Sequence, residues 1–314
     1  MFASSISQHT VSSDLLRDVI AAHPLFPEVE RRIAKHLIGI HKENPRLSRL
    51  KASHRKWLMT QSLYALAMER TPDDPLSGLT TTRFVETILE LGEASRNTAA
   101  SFLAELVAYK FLTCEDCPAD RRMRILLLTK ASEKAMTSWF HGHLDCLDFL
   151  DQGNRRAISE DNPQIFKVAQ PIIAHTLVND KDWRYPLDSI APFLNSDMGG
   201  MVLHDLISHV PDQSDSEGRY QIGKINLSNL GKTYLISLTN LKRMFKTGHD
   251  LRLLGWQQQQ RRGGFWLTEQ FVKDYYHWQS AKFEVVNSAF WEGVKATSGN
   301  SKTIQPRKSL TAVS

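Results

Sequence analysis

One block, Ser95 to Thr129, constrains this chain more than any other segment. It reads SRNTAASFLAELVAYKFL and then TCEDCPADRRMRILLLT. Phe102, Leu103, Leu106 and Val107 recur at helical spacing, so one face turns toward a core. Arg96, Asn97, Thr98 and Ser101 occupy the exposed, leading part of the same helix. Ser95 precedes them as an N-cap, its hydroxyl free to accept from a backbone N–H. Phe111-Leu112-Thr113 then opens a strand, Pro118-Ala119-Asp120 turns it, and Met123 to Leu128 returns. Arg121, Arg122 and Arg124 lie on or beside that turn, and Thr129 caps a helix running to about Leu150.

Upstream, Phe84, Val85, Ile88, Leu89 and Leu91 form a helical stripe from Thr81 to Leu91, and Gly92 fits the position just past a helix end. Helix, short turn with Gly, helix is the helix-turn-helix signature. A basic hairpin after the second helix makes it a winged one. Such a helix places its N-terminal residues against base edges in the major groove. Arg96 suits guanine and Asn97 adenine, each as a bidentate pair, while Thr98 and Ser101 suit phosphate or a thymine methyl. Alternation puts Arg122 and Arg124 on one strand face and Arg121 at the tip, where an arginine can enter a narrow minor groove. The bland alternatives are an Arg96–Glu93 surface pair and a wing arginine paired with Asp120.

The same residues, Ser95-Arg96-Asn97-Thr98 and the run Asp120-Arg121-Arg122 with Arg124 and Leu128-Thr129-Lys130, resemble the MarR family of bacterial transcription regulators. The likeness covers roughly 47–150. It implies a winged helix, double-stranded DNA as partner and promoter occupancy as mechanism. Family modules are usually about half this length and dimerise, whereas here a second half follows.

That half repeats the order of elements rather than the sequence. Leu227 to Leu235 and Leu238 to Leu251 read as helices, and Leu253-Leu254-Gly255-Trp256 as an apolar stop. Gln257 to Phe265, QQQQRRGGF, reads as a basic turn, and Leu267-Thr268 opens a long helix as Leu128-Thr129 does. Thr239, Asn240, Lys242, Arg243 and Lys246 form its polar face, with Leu238, Leu241 and Phe245 inward. Arg261 and Arg262 mark its wing tip, and Gly263 and Gly264 permit the turn. Asp250 is the only acid from Ser237 to Thr268.

The expected fold class is therefore mainly α with small β-hairpin wings, as tandem winged helix-turn-helix domains. A chain of 314 residues suggests two domains. Residues 1–45 read as an N-terminal helical segment, with a helix capped by Ser12 or Ser13. Residues 46–150 form the first winged domain, 151–163 (DQGNRRAISEDNP) a polar linker, 164–294 the second domain and 295–314 a disordered basic tail. A pI near 9.0 and a charge of +5 favour an anionic partner weakly. The densest basic stretch is Arg31 to Lys56, with Glu43 its one acid. It reads equally as a solvated face or as phosphate contacts.

Cys114-x-x-Cys117, with His141, His143 and Cys146, invites a metal or redox reading, but the second pair has no recognised metal-ligand spacing. Inert cysteines, no metal and no cofactor are expected. The aromatic residues Trp139, Phe140, Tyr275, Tyr276 and Trp278 read as helix-packing core. Phosphate-loop, dinucleotide, zinc-protease and serine-hydrolase motifs are absent from the sequence, so no enzymatic activity is expected. No apolar run approaches a membrane span and no signal peptide is legible, so the expected place is the cytoplasm, at the nucleoid. The two modules would act as a pseudo-dimer or within a true homodimer. The competing readings are a plasmid-type replication initiator and a winged-helix scaffold that binds protein. The operator, the sign of regulation and any small-molecule effector are not encoded legibly.

Overall fold

A computed structural model describes residues 15–43, 45, 53–117, 124–258 and 262–298. The chain is mainly helical with two small antiparallel sheets. Its first helices are α1 (Arg17–Ala22), α2 (Phe26–Glu43) and α3 (His54–Met68). Helix α1 starts later than expected and has Leu16 at its N-cap, without a side-chain cap. Ser12 and Ser13 lie outside the described residues. Pro27 falls in the first turn of α2, where its missing N–H costs nothing.

Next come α4 (Thr81–Glu90), α5 (Arg96–Ala108), strands β1 (Leu112–Asp116) and β2 (Arg124–Leu128), and α6 (Lys130–Asp151). Strands β1 and β2 pair antiparallel, with Cys114 opposite Leu126. Thr80 forms an isolated bridge to Ile125, and the Leu126 N–H donates to the Leu79 carbonyl at 3.1 Å. A short stretch before α4 thus lies on the outer side of β2.

The segment expected to be a linker is ordered and packed. It contains α7 (Arg155–Asp161), whose Arg155 is 0% exposed. Its guanidinium donates to Asp148 and Asp151 on α6 and to Asn287 far along the chain. A run of charged residues reads as solvated chain when its partners are distant in sequence. Burying a charge is tolerated only when it is paired and hydrogen-bonded, as here.

The second half comprises α8 (Gln164–Asn179), with Pro171 inside it, α9 (Lys181–Arg184), α10 (Ala191–Leu194) and α11 (Gly199–Ser208). Then follow β3 (Arg219–Gly223), α12 (Leu227–Tyr234), α13 (Leu238–Asp250), β4 (Leu254–Gln258), β5 (Arg262–Thr268) and α14 (Glu269–Ser298). Helix α10 is confined to Ala191–Leu194. Strand β3 is an addition to the expected elements. The sheet order is β3-β5-β4, all antiparallel.

The two halves interlock. Helix α3 packs on α8, α8 on α14, α2 on both α6 and α11, and α6 on α14. One continuous hydrophobic cluster runs from Ile20 to Phe290. Close approach between helices is built in by small residues: a Cβ at Gly293 would sit 2.8 Å from the Ile165 carbonyl oxygen. The N-terminal helices belong to the same body. Arg17 pairs with Asp180 at 2.5 Å and with Glu284 at 3.6 Å.

Candidate nucleic-acid interface

Helix α5 is set by its two ends. Leu91 closes α4, Gly92 takes φ +69, and the chain turns through Glu93 and Ala94 to Ser95. A left-handed residue at that point favours glycine, which has no Cβ to clash. Ser95 Oγ accepts from the Thr98 N–H at 3.3 Å and lies 2.9 Å from the Thr98 hydroxyl. Ala99, Phe102, Leu103 and Leu106 are buried, which leaves Arg96, Asn97, Thr98 and Ser101 exposed together on the leading turn and a half.

Arg96 does not pair with Glu93. That carboxylate is held by Arg184 of α9 at 2.7 Å, and Arg184 also donates to the Leu91 carbonyl. The elbow between α4 and α5 is therefore clamped from the second half. Among the described residues, no acid forms an ion pair with Arg96.

A shallow groove beside α5 is bounded by Lys56, Met59, Asn97, Thr98, Ser101 and Glu105, with Lys56 3.7 Å from Glu105. One residue of the basic stretch thus reaches the α5 face. Others are absorbed elsewhere. Arg31 holds Glu28 and Asp212 and donates to the Val210 carbonyl, while Arg32 pairs with Glu28 and lies over the Phe149 ring. The phosphate-contact reading does not extend to this pair, whose charges fasten α2 to its neighbours. Arg46, Arg49 and Lys51 lie outside the described residues.

After α5 the chain passes Lys110 at φ 60 into Phe111. The Phe111 carbonyl accepts from the Thr129 N–H at 3.2 Å and from Thr129 Oγ1 at 3.3 Å. Arg124 opens β2 opposite Asp116, is exposed, and donates to Cys114 Sγ at 3.7 Å. Arg121 and Arg122 lie outside the described residues.

Helix α13 is built the same way. Leu235 takes φ 55, and Ser237 Oγ accepts from the Asn240 N–H at 3.2 Å. Leu241, Met244, Phe245 and Gly248 face the core. Thr239, Lys242, Arg243 and Lys246 are exposed and Asn240 is half-buried. Arg243 donates to Asn240 Oδ1 at 3.2 Å, and Lys246 to Asp250 at 2.5 Å. Leu238 does not face inward: it is 43% exposed. It sits at the first position of the helix, where the apolar stripe has run past its last core neighbour.

The exit from α13 repeats the left-handed residue and the threonine tie of that from α5, where Thr129 Oγ1 also donates to the Lys110 carbonyl at 3.1 Å. Arg252 takes φ 60, the Leu253 carbonyl accepts from the Thr268 N–H at 2.9 Å, and Thr268 Oγ1 donates to it at 3.1 Å. Both α5 and α13 are 13 residues long. The region read as a basic turn is mostly strand. Gln257 donates to Gln221 and accepts from the Gly264 N–H, with Gly263 at φ +81 turning the chain. Arg261 lies outside the described residues, and Arg262 opens β5 opposite Gln258.

Sequence reading misses the outer strand of each hairpin, Leu79-Thr80 and β3. Residues 219–223 show only one buried position, so period-two alternation gives little signal.

The cysteine and histidine residues do not converge. Cys117 is buried, Cys114 half-buried, and Cys146 is buried on α6 with its thiol toward the Val29 carbonyl. Burial pushes that thiol up to about 12. His141 bonds Ser159, and His143 packs on Trp139 with centroids 4.3 Å apart. Among the described residues, no group of three or more His, Cys, Asp or Glu is placed to hold a metal ion. No described helix is long and apolar enough to cross a membrane.

Comparison with protein-family models, with curated proteins and with solved structures returned no match.

Proposed function

We propose that the chain is a sequence-specific regulator of transcription that occupies promoter DNA through two winged helix-turn-helix modules, the first MarR-like. The observation that carries this reading is the repeated frame: a serine-capped helix of 13 residues, a left-handed exit, and a hairpin tied back by a threonine, twice in one chain. In each copy the helix carries its polar residues on the outer face. Major-groove readers present the N-terminal part of such a helix to base edges. Two modules on one chain supply what a two-fold dimer otherwise supplies.

No chemistry on DNA is part of the proposal. Arg96 and Asn97 discriminate bases, and Lys242, Arg243, Lys246 and the wing arginines hold phosphate. Selection of bound fragments from genomic DNA tests this directly, followed by titration of the best fragment against a scrambled one across salt. A specific-to-scrambled ratio above about 10³ is expected. Equal, weak binding to both fragments contradicts it and favours a protein partner.

A further inference from the structure

Arg184 closes α9, a helix of four residues that the surrounding elements hold from three sides. Its cap, Asp180, accepts from the Trp183 N–H at 2.9 Å and pairs with Arg17 of α1. The Trp183 carbonyl accepts from His54 of α3 at 2.8 Å and from the Trp278 indole of α14 at 3.2 Å. The two indoles stack at 4.4 Å. From this fixed base the Arg184 side chain reaches into the first half. Its Nε donates to Glu93 Oε1 at 2.8 Å. A terminal nitrogen lies 2.7 Å from the same oxygen and donates to the Leu91 carbonyl.

These contacts bracket a hinge. Leu91 caps the C-terminus of α4, where a carbonyl has no partner inside the helix. Gly92 follows at φ +69, and Glu93 precedes the turn into the Ser95 cap of α5. The Gly92 and Glu93 N–H groups return to the Leu89 and Ile88 carbonyls, which ties the turn to α4. Nothing lies within 4 Å of the place a Gly92 Cβ would take, so no packing fixes the glycine from that side. The guanidinium joins the end of α4 to the approach to α5, and its planar fork supplies the two directions this needs. The side chains of Arg184 and Glu93 are each 14% exposed, so water reaches the pair only at its edge.

We propose that Arg184 is a positioning residue for base reading, which sets from the second half the angle at which the first half presents α5. This role rests on the reading of α5 as a base-reading helix. Site geometry must hold to about 0.5 Å and 10–20° for contacts of that kind. Arg96 and Asn97 open the helix just past the hinge, so rotation at Gly92 displaces both. Coulombic attraction to phosphate carries no such angular demand. The second elbow is held otherwise: His41 of α2 meets the Thr233 carbonyl at 2.9 Å, a bond that stops short of the left-handed Leu235.

Arg184→Met removes the fork and keeps an apolar stem. The full chain is titrated with the fragment selected from genomic DNA and with its scrambled counterpart. Lys181→Met, which takes one charge from the same helix and leaves the elbow alone, is measured beside it. Arg184→Met should lower the specific-to-scrambled ratio at least about tenfold, with scrambled affinity kept within about twofold and the salt slope unchanged. Lys181→Met should change none of these. In the free protein, hydrogen exchange at Gly92, Glu93 and Thr98 should quicken at least about tenfold in Arg184→Met, while amides of Phe102, Leu106 and α14 keep their rates. Arg184→Lys, which keeps the charge without the fork, should follow Arg184→Met. Loss of specific and scrambled binding together, with a shallower slope, makes Arg184 a phosphate ligand and overturns the inference. Exchange that quickens equally at the elbow and in α14 makes it a general stabiliser and overturns it too, as does a lysine variant that behaves as wild type. No preference for any fragment in wild type overturns the regulator reading together with this role. A preference that Arg184→Met leaves intact overturns this role alone.

Discussion

Helices α5 and α13 share a frame and differ in what they show to solvent. On α5 the exposed leading turn carries one cation, Arg96, beside neutral Asn97, Thr98 and Ser101. On α13 the exposed face carries Lys242, Arg243 and Lys246. The elbow before α5 is clamped across the halves by Arg184 on Glu93, whereas Leu235 and Leu238 at the elbow before α13 lie open at 54% and 43%. Hydrogen-bonding edges on a fixed helix suit base discrimination, and solvated cations suit phosphate. On the proposed reading, the first half supplies specificity and the second salt-dependent affinity.

The largest effect should come from the joint that makes the halves one body. Arg155→Met leaves Asp148 and Asp151 without their buried partner and should cost about 3–5 kcal/mol in urea unfolding. Both halves should lose stability together in a single transition. Separate transitions, with only one shifted, would show the halves to be independent.

Acid should act on the same joint. His54 on α3 meets the Trp183 carbonyl, and burial lowers it to about 4. Below pH 6.5 the unfolded chain takes up a proton that the folded chain refuses, so stability falls as pH drops from about 6.5 toward 4. His54 alone should account for about 3 kcal/mol of that loss. His54→Gln should make the pH profile of the thermal midpoint shallower over this window, with the rest left to the other buried histidines His143 and His204.

Smaller effects should separate the two faces. Arg96→Ala and Asn97→Ala should each remove about 1–3 kcal/mol of discrimination at one base position, with little change in salt slope. Lys242→Ala with Arg243→Ala should weaken specific and scrambled DNA alike and make the salt slope shallower by about 0.9 for each phosphate no longer neutralised. A change of sequence preference in the second pair, and none in the first, would reverse the division of labour. Smallest are the caps. Ser95→Ala and Ser237→Ala should each cost about 1 kcal/mol of stability, since each hydroxyl serves one helix start.

Much of the first half is legible in the sequence because its signals are local. Gly92, Ser95 and Thr129 announce their turns and caps by residue type, and the stripes around Phe84 and Phe102 need only helical spacing. What fails depends on distant partners. Arg155 looks solvated because Asn287, 132 residues away, is invisible to a local pattern. Arg31 looks like a phosphate ligand because Asp212 lies 181 residues on. Strand β3 and the Leu79-Thr80 stretch are edges whose identity comes from pairing, not from alternation. A cavity at the junction of the halves is hidden for the same reason: Trp139 and Trp278 read as core, and only the meeting of α3, α9 and α14 leaves space between them.

The most direct measurement is hydroxyl-radical footprinting of the fragment that binds tightest, with wild type and with Arg96→Ala. Two faces on one chain predict two protected segments, of which Arg96→Ala weakens the one carrying base discrimination and leaves the other in place. A single protected segment, or none above scrambled DNA, would contradict a two-headed reader of DNA.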